Sequence, residues 1–344
     1  MNTTLLALAI LVPNSAWLQT LLLVASVAVV LWGADRLTSG AVALAGRMGI
    51  PQIVIGLTVV AMGTSMPEFF VSLLSAIGGT PDLAVGNVVG SNIFNALLIV
   101  GVAALVTPID ILPTTVRKDI PFALVASALL LMMCLDHEIS RPDALVLLAL
   151  FVVFMVFTVR GAKANAGSET AATETQAKPA ANAEPAATQD TAPMSLLKAS
   201  LLMLLGLVCL VAGSDIFVGN ASAIAHSMGV SNAIVGLTIV AGGTSLPELA
   251  TSAVAAYRGN SGIAIGNVLG SNVFNILMII GITGTISPMA IVGITTLDLA
   301  MMVISIVLLW LFSFTKLRVE RWEGAVLAAV FAAYMVHLVG TALA

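Results

Sequence analysis

A polar motif interrupts two long apolar runs of this chain. The segment Gly56–Glu68 ends in Gly-Thr-Ser-Met-Pro-Glu, and the segment Gly236–Glu248 ends in Gly-Thr-Ser-Leu-Pro-Glu. Each copy places a carboxylate within an apolar stretch that is long enough to cross a bilayer. An ionised group is costly there, so it marks a functional site by default. The second copy argues against a chance occurrence.

The composition is that of a membrane protein with many spans. Hydrophobic residues make up 59% of the 344 residues and charged residues 9%, and the mean hydropathy is +1.10. In soluble domains about a quarter of the residues are charged. Nucleic acid is excluded as a partner because only 13 residues are Lys or Arg. Cys134 and Cys209 lie in separate apolar runs and are predicted to be packed thiols without a metal.

The hydropathy pattern predicts ten transmembrane helices. Their approximate bounds are 17–45, 51–78, 82–106, 119–136, 143–160, 196–226, 231–257, 261–286, 293–314 and 323–343. Residues 161–193 are rich in Ala, Thr, Glu and Pro and contain no large apolar side chain, so 161–194 is predicted to be a disordered linker. The chain is thereby divided into two halves, 1–160 and 195–344.

The two halves are repeats of one another. A constant offset of 180 residues aligns Glu68 with Glu248, and similarity is strongest between 51–106 and 231–286. Each half contains five predicted helices, an odd number, so the second half must enter the membrane in the opposite orientation. Inverted repeats of this kind are typical of transporters.

Basic residues are predicted to lie almost entirely on one face of the membrane. If the N-terminus is outside, the cytoplasmic side receives Arg47, Arg117, Lys118, Arg160, Lys163, Lys178, Lys198, Arg258, Lys316, Arg318 and Arg321. The opposite side receives only Arg141. Under the positive-inside rule this asymmetry places both termini outside and the linker 161–194 in the cytoplasm.

Each Gly-Thr-Ser-x-Pro-Glu motif is predicted to break its helix. Pro67 has no N–H, so the Gly63 carbonyl should lose its helical partner, and Pro247 should act likewise on Gly243. Irregular backbone at membrane depth occurs only where it is buried in protein or lines a cavity. These carbonyls are therefore candidate cation ligands.

The next predicted helix of each half adds hydroxyl and amide groups. It contains Gly-Asn-Val-Val-Gly-Ser-Asn-Ile-Phe-Asn up to Asn95 and Gly-Asn-Val-Leu-Gly-Ser-Asn-Val-Phe-Asn up to Asn275. Ser91 and Asn95 are four residues apart and share one helix face, and Ser271 and Asn275 repeat that spacing. Close helix packing accounts for the glycines but not for the hydroxyl and amide on one stripe.

Pseudo-twofold symmetry is expected to bring both copies together near the middle of the membrane. The side chains gathered there all carry oxygen: Glu68, Glu248, Asn95, Asn275, Thr64, Ser65, Ser91, Thr244, Ser245 and Ser271. A set without His or Cys favours hard cations over zinc or copper. Two ionised carboxylates balance one Ca²⁺, and the same oxygens also suit several Na⁺ ions.

These paired segments resemble the two α-repeats of the Ca²⁺/cation antiporter superfamily, in particular its prokaryotic sodium/calcium exchangers. The resemblance implies an all-α integral membrane fold of ten helices in two inverted repeats, without a cofactor. It implies exchange of Na⁺ for Ca²⁺ by alternating access, with the first and sixth helices sliding against the rest. The central carboxylates would be Glu68 and Glu248, and backbone carbonyls near Ala61 and Ala241 would assist the sodium sites.

The resemblance also carries expectations about stoichiometry and setting. It implies three Na⁺ for each Ca²⁺ and hence a transport cycle that moves net charge. We expect the chain to function as a monomer in a bacterial or archaeal cytoplasmic membrane. One position departs from part of the family, since some members, including the potassium-dependent exchangers, have Asp where this chain has Asn275. That difference argues against K⁺ co-transport.

Other functions stay open at this point. In a H⁺/Ca²⁺ antiporter each glutamate would alternate between Ca²⁺ and a proton, although the many Ser, Thr and Asn ligands favour Na⁺. A cation channel is disfavoured by the inverted repeat, and an intramembrane enzyme by serines that lack a histidine partner. Asp35 and Asp215 match across the repeat. Lining the ion path is one interpretation of this pair, and a role in helix packing or at a helix end is favoured over it.

Overall fold

The computed structural model describes residues 12–13, 15–165, 194–229, 239, 241–291 and 293–343, and these are almost entirely helical. The helices are α1 (Ala16–Met48), α2a (Gln52–Thr64), α2b (Met66–Ile77), α3 (Pro81–Val106), α4 (Thr115–Asp136), α5 (Arg141–Asn165), α6 (Leu196–Ser227), α7a (Ala241–Thr244), α7b (Leu246–Tyr257), α8 (Ser261–Ile286), α9 (Thr296–Phe314) and α10 (Arg321–Leu343). Four two-residue strands lie between them: β1 (Ile109–Asp110), β2 (Glu138–Ile139), β3 (Met289–Ala290) and β4 (Arg318–Val319).

The described helices agree with the predicted spans. Eight of them are long and apolar enough to cross a membrane, or nine if the bent pair α2a and α2b counts as one span. The seventh predicted span, 231–257, is described mainly from residue 241 onward, so the described residues do not give the full expected count of ten. Helix α5 runs five residues beyond the predicted boundary at 160, and most of the predicted linker lies outside the described residues.

Helices α3 and α8 form the centre of the bundle. Buried residues make up 72% of the apolar window of α3 and 94% of that of α8, but only 17% in α5 and 11% in α10. Small residues allow the central helices to touch: a Cβ on Gly266 of α8 would lie 2.7 Å from the carbonyl oxygen of Ile53 in α2a. The two halves therefore share one core, and the outer helices shield it from lipid.

The two longest helices, α1 and α6, pack against each other along their lengths. A Cβ on Gly206 would lie 2.6 Å from the backbone N of Leu37, and a Cβ on Gly40 would lie 2.7 Å from the Ala199 carbonyl oxygen. Real side chains do not come so close, so the absence of a side chain at these positions lets the two backbones meet.

The strands join loops of one half to loops of the other. β1 pairs antiparallel with β4, and β2 pairs antiparallel with β3. Just beyond them the Ile111 N–H donates to the Leu317 carbonyl, and the Ile291 N–H donates to the His137 carbonyl. These two bonds relate to each other by the same 180-residue offset, and His137 and Leu317 both have positive φ, 63° and 54°. The structural repeat thus extends through the loops. Strands of two residues are too short to produce a periodic pattern in the sequence, so they were not predicted.

Candidate ion-binding site

The first motif breaks its helix at Ser65, as predicted. Helices α2a and α2b meet there at an angle of 47°, and Pro67 occupies the first turn of α2b, where a missing N–H is harmless. The Gly63 carbonyl is not free, however, because backbone N–H groups at this cap donate to the carbonyls of Ala61 and Gly63. The expectation of a free Gly63 carbonyl is therefore wrong, and the corresponding one for Gly243 stays a prediction.

Glu68 and Glu248 lie at the start of α2b and α7b and are each only 1% exposed. Each accepts a hydrogen bond from the opposite repeat: Ser65 Oγ donates to Glu248 Oε1 at 2.9 Å, and Ser245 Oγ donates to Glu68 Oε1 at 3.0 Å. The serine of each motif therefore hydrogen-bonds to the glutamate of the other motif, and the two bonds are related by the pseudo-twofold axis.

Four buried oxygens around this pair have no hydrogen-bond partner among the described residues. They are Glu68 Oε2, Glu248 Oε2, Asn95 Oδ1 and Asn275 Oδ1. The Ser271 hydroxyl lies beside the Glu248 carboxylate. Leaving a buried polar atom unpaired costs about 1–3 kcal/mol, and more for a charged one, so native structures seldom retain such a group without a reason. Oxygens of this kind are the ligands that a hard cation requires.

Four asparagines form a bridge between α3 and α8. Asn95 Nδ2 donates to Asn272 Oδ1 at 3.0 Å, and Asn275 Nδ2 donates to Asn92 Oδ1 at 3.1 Å. Asn92 and Asn272 also donate to each other's backbone carbonyls, at 3.3 and 3.4 Å. Because the bridge uses the NH₂ groups of Asn95 and Asn275, it leaves their oxygens available to an ion.

Two further asparagines hold the carboxylate helices in place. Asn87 Nδ2 donates to the Glu68 carbonyl at 3.1 Å and to Ser72 Oγ at 3.0 Å. In the second repeat Asn267 Nδ2 donates to the Glu248 carbonyl at 3.3 Å and, at 3.0 Å, to the Ser252 hydroxyl. Each amide therefore ties the start of a carboxylate helix to the neighbouring central helix.

The remaining predicted ligands surround this centre. Thr64 is fully buried, and its hydroxyl lies 3.1 Å from Asn267 Oδ1. Ser245 Oγ also lies 3.2 Å from the hydroxyl of Ser91, which is 4% exposed. Thr244 is partly buried. The carbonyl of Ala61 accepts the Ser65 N–H at 3.0 Å, while the side chain of Ala241 lies outside the described atoms, so the sodium role of both carbonyls stays a prediction.

Asp35, matched to Asp215 by the repeat, contributes to packing between the halves. It forms an ion pair with Arg258 at the end of α7b, and Arg258 Nη1 also donates to Ser39 Oγ at 2.7 Å. The counterpart of Arg258 in the first repeat is Gly78, and Asp215 is exposed. Among the residues that the structure describes, this ion pair ties α1 to the second repeat, and no equivalent ion pair ties α6 to the first.

The family follows from a comparison of the whole sequence. The profile described as sodium/calcium exchanger protein matches residues 18–160 and again residues 198–340. The chain belongs to the sodium/calcium exchanger family. The two matched ranges differ by the same 180 residues as the paired carboxylates, so the family pattern is present once in each repeat of this exchanger.

Relatives and solved structures agree with this assignment. The exchanger is 36% identical to the putative antiporter CaxA of Alkalimonas amylolytica over 92% of this chain and 97% of CaxA. It is 30% identical to the sodium/calcium exchanger MaX1 of Methanosarcina acetivorans over 89% of this chain and 94% of MaX1. A structure of the sodium-calcium exchanger NCX_Mj, soaked without Na⁺ and Ca²⁺, aligns with a TM-score of 0.79 at 27% identity and covers 94% of this chain and 100% of NCX_Mj.

These matches establish the class of the exchanger. It is an integral membrane antiporter of Ca²⁺ and another cation with the two-repeat exchanger fold, and it is not an enzyme. The family transports Na⁺ and Ca²⁺ without a cofactor.

Sequence reasoning missed the asparagines that organise the site. Asn87, Asn92, Asn267 and Asn272 all lie within the repeated Gly-Asn-x-x-Gly-Ser-Asn segments but were not among the predicted ligands. Their occurrence inside apolar helices was the available signal, because an amide buried in a membrane needs a partner. Which partner each one takes depends on how α3 and α8 cross.

Proposed function

We propose that this exchanger moves Ca²⁺ against Na⁺ by alternating access, with both ions competing for one site between the repeats. The observation that carries the proposal is the reciprocal pairing of Glu68 and Glu248 with serines of the opposite repeat. Each carboxylate retains a buried oxygen without a described partner. Two ionised carboxylates carry a charge of −2, which one Ca²⁺ neutralises.

We infer that the ions are held by oxygens from both repeats. The proposed ligands are Glu68, Glu248, Thr64, Ser65, Ser91, Asn95, Thr244, Ser245, Ser271 and Asn275, with backbone carbonyls near Ala61 and Ala241. Three Na⁺ ions at this site would leave a surplus of one positive charge over the two carboxylates. An exchange of three Na⁺ for one Ca²⁺ would thus move net charge and respond to voltage by about 2.3 kcal/mol per 100 mV.

The proposed topology places both termini outside, and residues 161–194 in the cytoplasm of a bacterial or archaeal cell, with 1–160 and 195–344 as the two repeats. The distribution of basic residues supports it: Lys118 and Arg160 line one groove, and Arg141 begins α5, at the opposite end of that helix from Arg160. We expect one chain to suffice for transport, because the described parts of the two repeats together supply both carboxylates.

The test is ⁴⁵Ca²⁺ uptake into proteoliposomes loaded with Na⁺, compared with K⁺-loaded vesicles and with vesicles under a proton gradient. Wild type should take up Ca²⁺ only against Na⁺. Exit of the surplus Na⁺ charge makes the interior negative and slows exchange, so uptake should be faster when K⁺ entry through valinomycin dissipates that potential. Uptake driven equally by a proton gradient without Na⁺ would show a H⁺/Ca²⁺ antiporter instead.

The carboxylates are tested by Glu68→Gln and Glu248→Gln. Each variant would leave bound Ca²⁺ with an uncompensated buried charge, which costs about 3–5 kcal/mol, so Ca²⁺ uptake should fall by at least about 100-fold. The matched control is Glu138→Gln, because Glu138 is an exposed carboxylate in β2 and its loss should leave uptake unchanged. Full exchange in both site variants would refute the assigned site.

A further inference from the structure

A groove lies between α2a, α4 and α5, away from the carboxylate site. Its volume is about 620 Å³. Apolar side chains form most of its wall, among them Val54 and Leu57 of α2a, Phe122 of α4, and Phe154 and Phe157 of α5. Phe157 is 70% exposed, and α5 is one of the least buried helices. The groove therefore opens toward the hydrocarbon of the bilayer, where water is not available to fill it.

Two basic side chains line the same groove at one end. Lys118 lies near the start of α4 and Arg160 near the end of α5, and both are exposed. Neither forms an ion pair with any residue that the structure describes. Asp119 also lines the groove, so two cations stand against one carboxylate. Basic pockets between transmembrane helices at the cytoplasmic side suit anionic lipid headgroups.

We propose that this groove binds an anionic phospholipid. One acyl chain lies along the apolar wall formed by the accessible side chains of Val54, Phe122 and Phe157, and the phosphate sits between Lys118 and Arg160. The guanidinium of Arg160 can bind two phosphate oxygens at once, and the Lys118 ammonium adds a second charge. The two basic side chains favour a negatively charged headgroup, and the apolar wall packs against the acyl chain.

The second repeat has no basic residues at the positions that correspond to Lys118 and Arg160. At the 180-residue offset, Lys118 corresponds to Asp298 and Arg160 to Gly340. Asp298 accepts a hydrogen bond from Tyr334 Oη at 2.8 Å. Because the repeats are inverted, these positions lie at the opposite face of the membrane. The basic pair therefore occurs on one face only, which under the proposed topology is the cytoplasmic one.

The binding test uses the full-length exchanger, delipidated in detergent and titrated with dioleoyl phosphatidylglycerol or dioleoyl phosphatidylcholine, with bound lipid counted by native mass spectrometry. Wild type should retain one phosphatidylglycerol more tightly than phosphatidylcholine. Each basic side chain contributes about fivefold, so Lys118→Gln combined with Arg160→Gln should weaken phosphatidylglycerol binding roughly 25-fold. Both residues are exposed, so the variant should remain folded.

Arg117→Gln is the matched control, because Arg117 is an exposed neighbour of Lys118 that does not line the groove. Its binding should equal that of wild type. An equal loss in the control, or no loss in the double variant, would overturn the proposal in favour of diffuse surface attraction.

A photo-crosslinker identifies the occupant directly. With p-benzoylphenylalanine at Phe157, irradiation in nanodiscs of the same two lipids should label phosphatidylglycerol, and the double variant should lose that label. Crosslinks to residues 166–193 in place of lipid would mean that the chain's own linker fills the groove, and would overturn the proposal.

Discussion

The asparagine bridge predicts a specific defect when Asn272 is replaced by alanine. The change removes Oδ1, which accepts from Asn95 Nδ2 at 3.0 Å, and Nδ2, which donates to the Asn92 carbonyl at 3.4 Å. Asn95 is 1% exposed, so its NH₂ group loses its protein partner without gaining water. The amide is then free to rotate, and its oxygen is no longer held toward the ion.

The size of the defect follows from these contacts. Each lost hydrogen bond contributes about 0.5–1.5 kcal/mol net, and an orphaned buried donor costs about 1–3 kcal/mol. We therefore expect a loss of about 2–4 kcal/mol in folding free energy. Loss of one oriented neutral ligand should raise the Ca²⁺ concentration for half-maximal uptake about tenfold, which corresponds to about 1.4 kcal/mol. Asn92→Ala should produce a similar defect, because Asn275 Nδ2 donates to Asn92 at 3.1 Å.

Two measurements separate the structural effect from the effect on the ion. Thermal unfolding in detergent, with and without Ca²⁺, reports stability and the stabilisation that Ca²⁺ adds, and ⁴⁵Ca²⁺ uptake reports the half-saturating concentration. Ser127→Ala is the control, since Ser127 is equally buried but donates only to Ala123 of its own helix at 2.9 Å. A lower melting temperature with an unchanged Ca²⁺ dependence would refute the orienting role of the bridge.

Three further predictions concern other contacts. Ser65→Ala removes the donor to Glu248 Oε1, and because hydrogen bonds to charged groups contribute about 1.5–3 kcal/mol, Ca²⁺ affinity in the uptake assay should fall by roughly tenfold or more. Arg258→Gln breaks the ion pair that ties α1 to α7b. Because the counterpart of Arg258 at the 180-residue offset is Gly78, accessibility of a cysteine placed at the cytoplasmic end of α1 should increase. Gly206→Ala places a Cβ 2.6 Å from the backbone N of Leu37. Because that Cβ forces α1 and α6 apart, the variant should have a lower melting temperature and slower exchange.

Each of these has a control and an outcome that contradicts it. Ser127→Ala should keep wild-type Ca²⁺ affinity, and an equal loss there would mean that any buried serine matters. Unchanged accessibility in Arg258→Gln would show that the ion pair does not hold α1. A Cβ on Gly46 would meet no atom within 4 Å, so Gly46→Ala should resemble wild type, and unimpaired Gly206→Ala protein would refute the close helix contact.

The sequence singled out the two carboxylates as the centre of the candidate site because membrane burial leaves few alternatives. Glu68 and Glu248 lie in apolar surroundings that only a partner or an ion can make tolerable, and the constant offset indicated that they would meet. The reciprocal bonds from Ser65 and Ser245 are consistent with that inference. The Gly63 carbonyl was predicted wrongly, because the chain satisfies it with a nearby N–H at the cap.

Other features depended on contacts that no local pattern specifies. The partners of Asn92 and Asn272, the pairing of Asp35 with Arg258, and the strand pairs between loops all join residues far apart in the chain. A side chain's position on a helix face follows from its spacing. The residue opposite it follows from how two helices cross, and that is decided by packing.

The sequence by itself determined the kind of protein and the kind of ligand. Its hydropathy required membrane helices, its repeat of five predicted helices required inversion, and its motifs offered only oxygen. The tertiary structure decided which oxygens remain available, because each hydroxyl and amide can satisfy either a neighbour or an ion. In the described residues, serines and asparagines from opposite repeats pair with one another and leave one oxygen on each of Glu68, Glu248, Asn95 and Asn275. These oxygens remain available only because the equivalent helices of the two repeats come within hydrogen-bonding distance of each other.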